Sequence, residues 1–497
     1  MPLITHKIKI PLLSQTLLCV MFLIIGCSFT VYHFLLKWRL LWHKICFHLS
    51  CQDSDLIKQF FNLFPNQIPA HHKLNQKDFT RDRCLPFNKL VALILSMAAS
   101  GTNQGIDPKA GHFFKNARRS GLWPDANTTH RSSISKARNK ISWHIFNDVL
   151  TDAVNLAYHL WPDNDSQYQW NGMSVFALDG SSFQLPATDK LRAHFDPGSG
   201  LEHKGKGHYP QCLVSTVYDV FRRLPIARTV VKCDGCERQE MKNLAPFVPA
   251  NSVWLFDRGY PGFDPIDYLS HNFDGYFLFR CPAKSTFPAV ERFVKTGRTE
   301  DTIWLMPSHE FKRRVTPAQR KQLKPIKIRI IRLVSYDGTV SVLLTNLFGK
   351  NKYPHSQIRD LYLRRWEVEN YYRDEKVTLE LEKFHSKSVN GILQELHASM
   401  IMSVICRTLM AFSSQQFFSG QKEPQFKNAI LALASDIAFV AADDPQRAFL
   451  VFKELLSEMA RVVYYRPKKV RPPQPRVNKG PVNKWNQSKI KLLAAFA

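Results

Sequence analysis

Four residues in the stretch LYLRRWEVENYYRDEKVTLELEKF (361–384) have types and spacing that could act on phosphate: Tyr362, Arg365, Glu369 and Lys376. On one α-helix, at about 100° per residue, they fall within an arc of roughly 60°. A carboxylate on that face can hold a metal ion, and the cations beside it can grip phosphate, as a nuclease requires. The same composition also describes a solvated helix with an Arg365–Glu369 pair at i,i+4. Chemistry therefore depends on partners for Glu369 elsewhere in the chain.

Two aspartates are candidates. Asp179 follows the apolar run VFAL and precedes Gly180, Ser181 and Ser182, while Asp257 follows VWLF and precedes Arg258, Gly259 and Tyr260. Each reads as a lone carboxylate at the C-terminal end of a strand, near a glycine that lets a ligand approach the backbone. Singly, an aspartate beside a glycine is ordinary turn chemistry. Jointly, two strand-end aspartates and a helix-borne glutamate make the set needed for two-metal phosphoryl transfer. Hard oxygen ligands suit Mg²⁺, or Mn²⁺ as a substitute, better than zinc. Three facing carboxylates repel, so without metal their pKa values should rise or the site should loosen. On the helix, Glu380 and Arg373 share the face of Glu369, whereas Glu367, Asp374 and Glu375 point elsewhere.

The elements that must position these acids read as an α/β layer with a mixed sheet. Strands are expected at 173–180, 209–220, 224–232, 252–260 and 275–282, with a helix at 237–248. A β-rich insertion follows at 285–350, with strands TIWLMP, KIRIIRLVSYD and TVSVLLTNL around the basic patch KRRVTPAQRKQLKPIKIR (312–329). Upstream, 85–100 reads as a buried helix and 132–160 as one long helix with Lys136, Arg138 and Lys140 in its first turns. Cations there oppose the helix dipole, and phosphate contact is the reading preferred over a solvated face. Downstream, helices are expected at about 390–412 and 425–461, then a proline-containing basic tail at 461–491 suited to non-specific phosphate contact.

The 497-residue chain carries a net charge of +27, which points to a polyanion, most plausibly nucleic acid, and less strongly to anionic membrane. Its ten cysteines form no framework, and the lone Cys233/Cys236 pair is a weak zinc signal, so reduced cytosolic thiols are the default. Residues 10–36 contain no charged side chain and as a helix would span roughly 40 Å, enough to cross a bilayer. Either a membrane anchor or an upstream extension fused to a soluble protein fits, and basic residues on both sides leave orientation open.

At this point the chain resembles the DDE transposases of the insertion-sequence-four family, whose signature is Tyr-x2-Arg-x3-Glu-x6-Lys. Tyr362, Arg365, Glu369 and Lys376 match it without gaps, and Asp179-Gly180-Ser181 and Asp257-Arg258-Gly259-Tyr260 match the two aspartate motifs in order. TNL at 345–347 and FHSKS at 384–388 resemble flanking segments, so the likeness covers roughly residues 52–460. The resemblance implies an RNase H-like mixed sheet flanked by helices, a helical N-terminal DNA-binding region, and the β-rich insertion before the last catalytic helix. It implies that Asp179, Asp257 and Glu369 are catalytic and hold two Mg²⁺ ions. Tyr362, Arg365 and Lys376 would bind phosphates of the DNA end. Double-stranded DNA, as terminal inverted repeats and as target, is the implied partner, in a homodimer.

The domain order expected is then 1–45 apolar segment, 46–170 DNA-binding region, 171–284 first part of the core, 285–350 insertion, 351–415 catalytic helix, and 416–497 C-terminal helices and tail. The favoured function is Mg²⁺-dependent DNA cleavage and strand transfer in cut-and-paste transposition, by a cytoplasmic, nucleoid-associated protein. The alternative is a catalytically decayed or membrane-tethered basic DNA-binding protein, held through 10–36.

Overall fold

The computed structural model describes residues 59–464, apart from 61–62, 65–66, 81–84, 100–103, 162–165, 200–207 and 336–337. The elements below lie within one unit, Phe61–Ala497. The apolar stretch 10–36 and the tail after Tyr464 fall outside the described residues.

Among the described residues, the helices that precede the sheet include α1 (Phe87–Ala99), α2 (Ile106–Arg119), α3 (Arg131–Arg138) and α4 (His144–Leu160). The single helix expected at 132–160 is thus two. Its break has a physical cause: residues 140–142 give their backbone to a neighbouring segment. Lys73 and Ile141 form an antiparallel bridge, Leu74 N donates to Lys140 O (3.1 Å), and Ser142 N donates to His72 O (2.9 Å).

The apolar runs become strands because their β-branched and aromatic side chains are nearly all buried on a pleated surface. They are β1 (Val175–Gln184), β2 (Gln211–Asp219), β3 (Leu224–Lys232), β4 (Val253–Phe256) and β5 (Tyr276–Pro282). β1, β2 and β3 make an antiparallel meander, and β4 and β5 run parallel to β1, in the order β3-β2-β1-β4-β5. That order and these directions are the RNase H-like arrangement. Parallel strands need crossovers that cover the sheet, which is why β4 reads as an unbroken apolar run. α5 (Asp189–Phe195) follows β1, α6 (Glu237–Leu244) leads into β4, and α7 (Phe263–Asn272) joins β4 to β5.

The β-rich segment extends this same sheet. After α8 (Pro288–Lys295) comes β6 (Glu300–Leu305), then the short basic helices α9 (His309–Arg314) and α10 (Pro317–Gln322), then β7 (Ile326–Val334) and β8 (Val340–Thr345). β8 pairs antiparallel with β5, completing eight strands as β3-β2-β1-β4-β5-β8-β7-β6. The insertion therefore shares the core's hydrogen-bond ladder.

α11 (His355–Leu363) and α12 (Trp366–Arg373) follow, then the 30-residue α13 (Val389–Phe418), α14 (Phe426–Asp436) and α15 (Pro445–Arg461). The stretch expected as one helix over 425–461 is thus divided by a 3₁₀ segment at Ile437–Ala441. By length and apolarity α13 could cross a membrane, yet 83% of its apolar window is buried inside the fold. It is apolar all round because it packs against α1, α4, α14, α15 and β3 at once.

Two buried ion pairs lock α13 in place. Arg228 on β3 meets Glu375 at 2.8 Å, and Ser399 Oγ donates to the same carboxylate at 3.0 Å. Arg138 donates to Glu395 Oε1 (2.8 Å), Gln394 Oε1 (3.1 Å) and Gly391 O (3.1 Å). The phosphate contact expected of Arg138 is thereby corrected: its charge is used inside the fold. Lys140 pairs with Asp78 at 3.1 Å, while Lys136 stays exposed. Burial alone would raise the pKa of Glu395, but Arg138 and His385 outweigh it and hold it at about 2. Stability from this carboxylate is therefore present above the unfolded value and is lost as pH falls towards 2. Arg138→Ala should cost about 3–5 kcal/mol at pH 7, because it strands a buried carboxylate. A denaturant midpoint within error of the parent protein would contradict this.

Candidate active site

In the parallel pairing of β1 and β4, Val175 lies beside Val253 and Ala177 beside Leu255. Extending that register by two residues sets Asp179 beside Asp257. Strand side chains alternate, so both aspartates face the side of Val175, Ala177, Val253 and Leu255. The same face is covered by α11 and α12, whose Leu361, Tyr362, Val368, Tyr371 and Tyr372 share one apolar cluster with it. Glu369, next to Val368, is thus brought to the two aspartates by ordinary core packing.

The strand bearing Asp179 is longer than expected. It continues beside β2 to Gln184, whereas its pairing with β4 ends at Ala177–Leu255. Asp179 therefore stands where two parallel strands part at their carboxyl ends, the usual place for a ligand crevice in an α/β sheet.

Arg365 lies between Asp179 and Glu369. It is 5% exposed, it donates to Glu369 Oε1 at 2.6 Å, and its Nη1 lies 3.8 Å from Asp179 Oδ2. Its guanidinium also stacks on Trp366, 5.0 Å from the ring centre. Asp179 accepts from Gly180 N at 3.0 Å, and Asp257 accepts from Gly259 N at 2.7 Å in a tight turn. The Tyr372 hydroxyl lies 2.8 Å from Asp179 O and 2.9 Å from Val214 O, tying α12 to β1 and β2. Burial is the main force on Asp179. It pushes the carboxyl up, Asp257 and Glu369 push it further, and Arg365 opposes them, leaving it at about 7.

The one-helix picture of 361–384 needs correction. α11 ends at Leu363, and Arg364, Arg365, Glu367 and Val368 make i→i−3 bonds between it and α12. A π turn then occupies Asp374–Thr378. The first deviation overwinds the chain and the second underwinds it, so 100° per residue does not hold across the stretch. Tyr362, Arg365 and Glu369 still converge. Lys376 is carried to β1, where it donates to Ser182 O (2.6 Å) and lies over Phe183, 4.6 Å from the ring centre. Burial lowers its pKa. Tyr362 is buried beside Arg365, and burial raises its pKa against the pull of Arg365.

The rival acids are used elsewhere. Glu375 is buried with Arg228, Glu367 lies 3.7 Å from Arg223, and Asp374 lies 3.5 Å from Arg407. Glu380 lies beyond the π turn, with φ 50°, and pairs with Lys383 at 2.8 Å.

Two further residues hold the aspartate loops, and sequence reasoning missed both. Arg238 at the start of α6 donates to Gly259 O (3.2 and 3.0 Å) and Pro261 O (3.0 Å), fixing the turn after Asp257. Glu237 presses on the opposite side of β1: a Cβ at residue 180 would lie 2.6 Å from its Oε1. Glu237 thus takes the space that the absent side chain of Gly180 leaves beside the strand. In sequence, ERQE is an unexceptional helix opening.

Carboxylate oxygens on a desolvated acid already strained by like charge fit a divalent cation, which would relieve the repulsion. Among the described residues, the one His/Cys/Asp/Glu group whose ligand atoms all lie within 4.8 Å of one another is His71, His72 and Asp148. By the same measure Asp179, Asp257 and Glu369 are more open than that.

Fold and acids together define an RNase H-like domain with an Asp-Asp-Glu triad. Residues 170–405 match the family described as transposase DDE domain. Over 286 residues the chain is 23% identical to the transposase InsG for insertion sequence element IS4 of Escherichia coli (strain K12). That alignment covers 56% of this chain and 61% of the relative, so the chain spans about three fifths of the relative's length. It also resembles the piggyBac transposase in a cryo-EM synaptic complex with hairpin DNA, at a TM-score of 0.41 and 10% identity, covering 88% of this chain and 84% of that one. The chain is thus similar to DDE transposases of the insertion-sequence-four type, with the likeness carried by residues 170–405.

A raised carboxyl pKa fixes a sign. Asp179 contributes stability that is fully present below the unfolded carboxyl value and lost as pH rises through about 7. Asp179→Asn should therefore stabilise the metal-free protein at pH 8, by up to about 4 kcal/mol, with the gain fading below about pH 4. Melting in EDTA across that range checks it, and an equal shift at both ends would contradict the assignment.

Proposed function

We propose that this protein binds the ends of an insertion sequence and catalyses Mg²⁺-dependent DNA cleavage and strand transfer. The observation that carries the reading is the meeting of Asp179 and Glu369 on Arg365, with Asp257 beside Asp179 at the carboxyl ends of adjacent parallel strands. Those three acids would hold the cations. Bound there, divalent ions supply activation of the attacking oxygen and stabilisation of the leaving one.

The chain's own side chains do the rest. Arg365 offers a planar fork that pairs with carboxylate or phosphate alike, so it can hold a DNA phosphate beside Glu369 once cations neutralise the acids. The Tyr362 phenol, behind Arg365, keeps the guanidinium directed at the crevice. Lys376, half-buried on β1, would brace the strand of Asp179 and meet the DNA backbone at the rim. Farther out, the exposed cations of α9 and α10, among them Arg313, Arg320 and Lys321, form a surface for sequence-independent phosphate contact. The net charge of +27 supports duplex DNA as partner, both as terminal inverted repeats and as target, with the protein working as a homodimer on nucleoid DNA.

Two experiments test this. The full chain is incubated with duplex from the flanks of its own gene, with Mg²⁺, Mn²⁺ or EDTA. Cutting at a defined end should require metal and disappear in Glu369→Gln, while DNA affinity stays within about threefold because the variant keeps the phosphate-binding cations. Equal cleavage by the variant would overturn the assignment. Lys376→Ala should weaken end binding and reduce the salt slope by about one unit, as loss of one phosphate contact does. An unchanged slope would make Lys376 a brace for β1 alone.

A further inference from the structure

Far from the triad in sequence, the turn Ala70–His72 is fastened against the start of α4. Within it His72 N donates to Pro69 O (3.0 Å) and Lys73 N to Ala70 O (3.2 Å). The bridge between Lys73 and Ile141 and the bonds of Ser142 N to His72 O and Leu74 N to Lys140 O hold it down. The two imidazoles therefore sit side by side, ring centres 4.0 Å apart, on a backbone that is already ordered. Asp148, in the second turn of α4, meets them: its Oδ2 is 2.8 Å from His72 Nε2. One ligand atom from each of His71, His72 and Asp148 lies within 4.8 Å of the other two.

We propose that His71, His72 and Asp148 form a second metal site, for a single zinc ion, which clips the turn to α4. The chemistry of the donors decides the metal. Two imidazoles and a carboxylate suit zinc, whereas Mg²⁺ prefers an all-oxygen shell. Three ligands separated by less than 4.8 Å need only a small closure, since zinc bonds of about 2.0–2.2 Å bring tetrahedral ligands to about 3.3 Å from one another. His72 is buried while His71 and Asp148 are exposed, so ligands come from the protein side and the fourth position faces solvent.

A plain His72–Asp148 hydrogen bond explains two of the three residues. It gives no role to His71, and that difference makes the test. The full-length protein is stripped with a chelator, dialysed and titrated with Zn²⁺ by calorimetry in excess Mg²⁺, and separately with Co²⁺ for its visible absorption. The parent and Glu369→Gln should both bind one zinc per chain outside the triad, with the absorption of tetrahedral cobalt. His71→Ala, which leaves the His72–Asp148 bond in place and so keeps the fold, should weaken zinc at least tenfold, and Asp148→Asn likewise. Zinc should also raise the melting temperature of the parent and not of His71→Ala. Zinc binding undiminished in both variants, or no zinc bound to the parent in excess Mg²⁺, would overturn the site. Neither outcome bears on the triad, which Glu369→Gln reports separately.

Discussion

The ion pair of Arg365 with Glu369, with Asp179 on the guanidinium's other side, is the interaction on which the rest of the site depends. Burying three carboxylates in one crevice is costly, and a buried charge persists only when it is paired or changes its protonation. Both responses are visible. Glu369 is paired with Arg365 at 2.6 Å, whereas Asp179, with its guanidinium contact stretched to 3.8 Å, has its pKa raised to about 7. Asp257 is held in a third way, by the amide of Gly259 and a loop that Arg238 clamps. The site thus stores electrostatic strain that cation binding would release, and the surrounding fold must be stiff enough to keep the acids from drifting apart.

That stiffness comes from outside the triad. α12 is seated by Tyr372 on β1 and β2, and α13 behind it is fixed by Arg228–Glu375 and Arg138–Glu395. Gln394 and His385 meet more of the hydrogen-bond capacity of Arg138–Glu395, whereas at Arg228–Glu375 the bonds of Tyr371 and Ser399 share one oxygen and Glu375 Oε2 and Arg228 Nε are left without a partner. Strand β8, by pairing with β5, prolongs the sheet beyond the parallel strands, so neither β4 nor β5 is an exposed edge.

Much of this was legible in the sequence, for reasons that particular residues make plain. VFAL and VWLF run apolar up to Asp179 and Asp257 because both faces of their strands are covered, and a lone charge at the end of such a run has nowhere to hide. Glu369 could be told from Glu367, Asp374 and Glu375 by helical phase alone, because the tightened turn at Arg364–Arg365 keeps the right-handed sense over so few residues. Phase failed at Lys376, beyond the start of the π turn, since no residue in DEKVT marks an i→i+5 bond. Arg138 was misjudged for a related reason. Its position in a basic helix predicts solvent, and only the tertiary approach of Glu395, some 250 residues later, turns it inward.

Glu237 and Arg238 mark a harder limit. Their importance lies in where α6 meets β1 and the loop after β4, which is a property of the crossover and not of any local pattern. Gly180 does carry a trace of it. A glycine after the first aspartate reads as room for a ligand near the backbone, yet the atom that fills the space beside it is the carboxylate of Glu237, on the other face of the strand from Asp179.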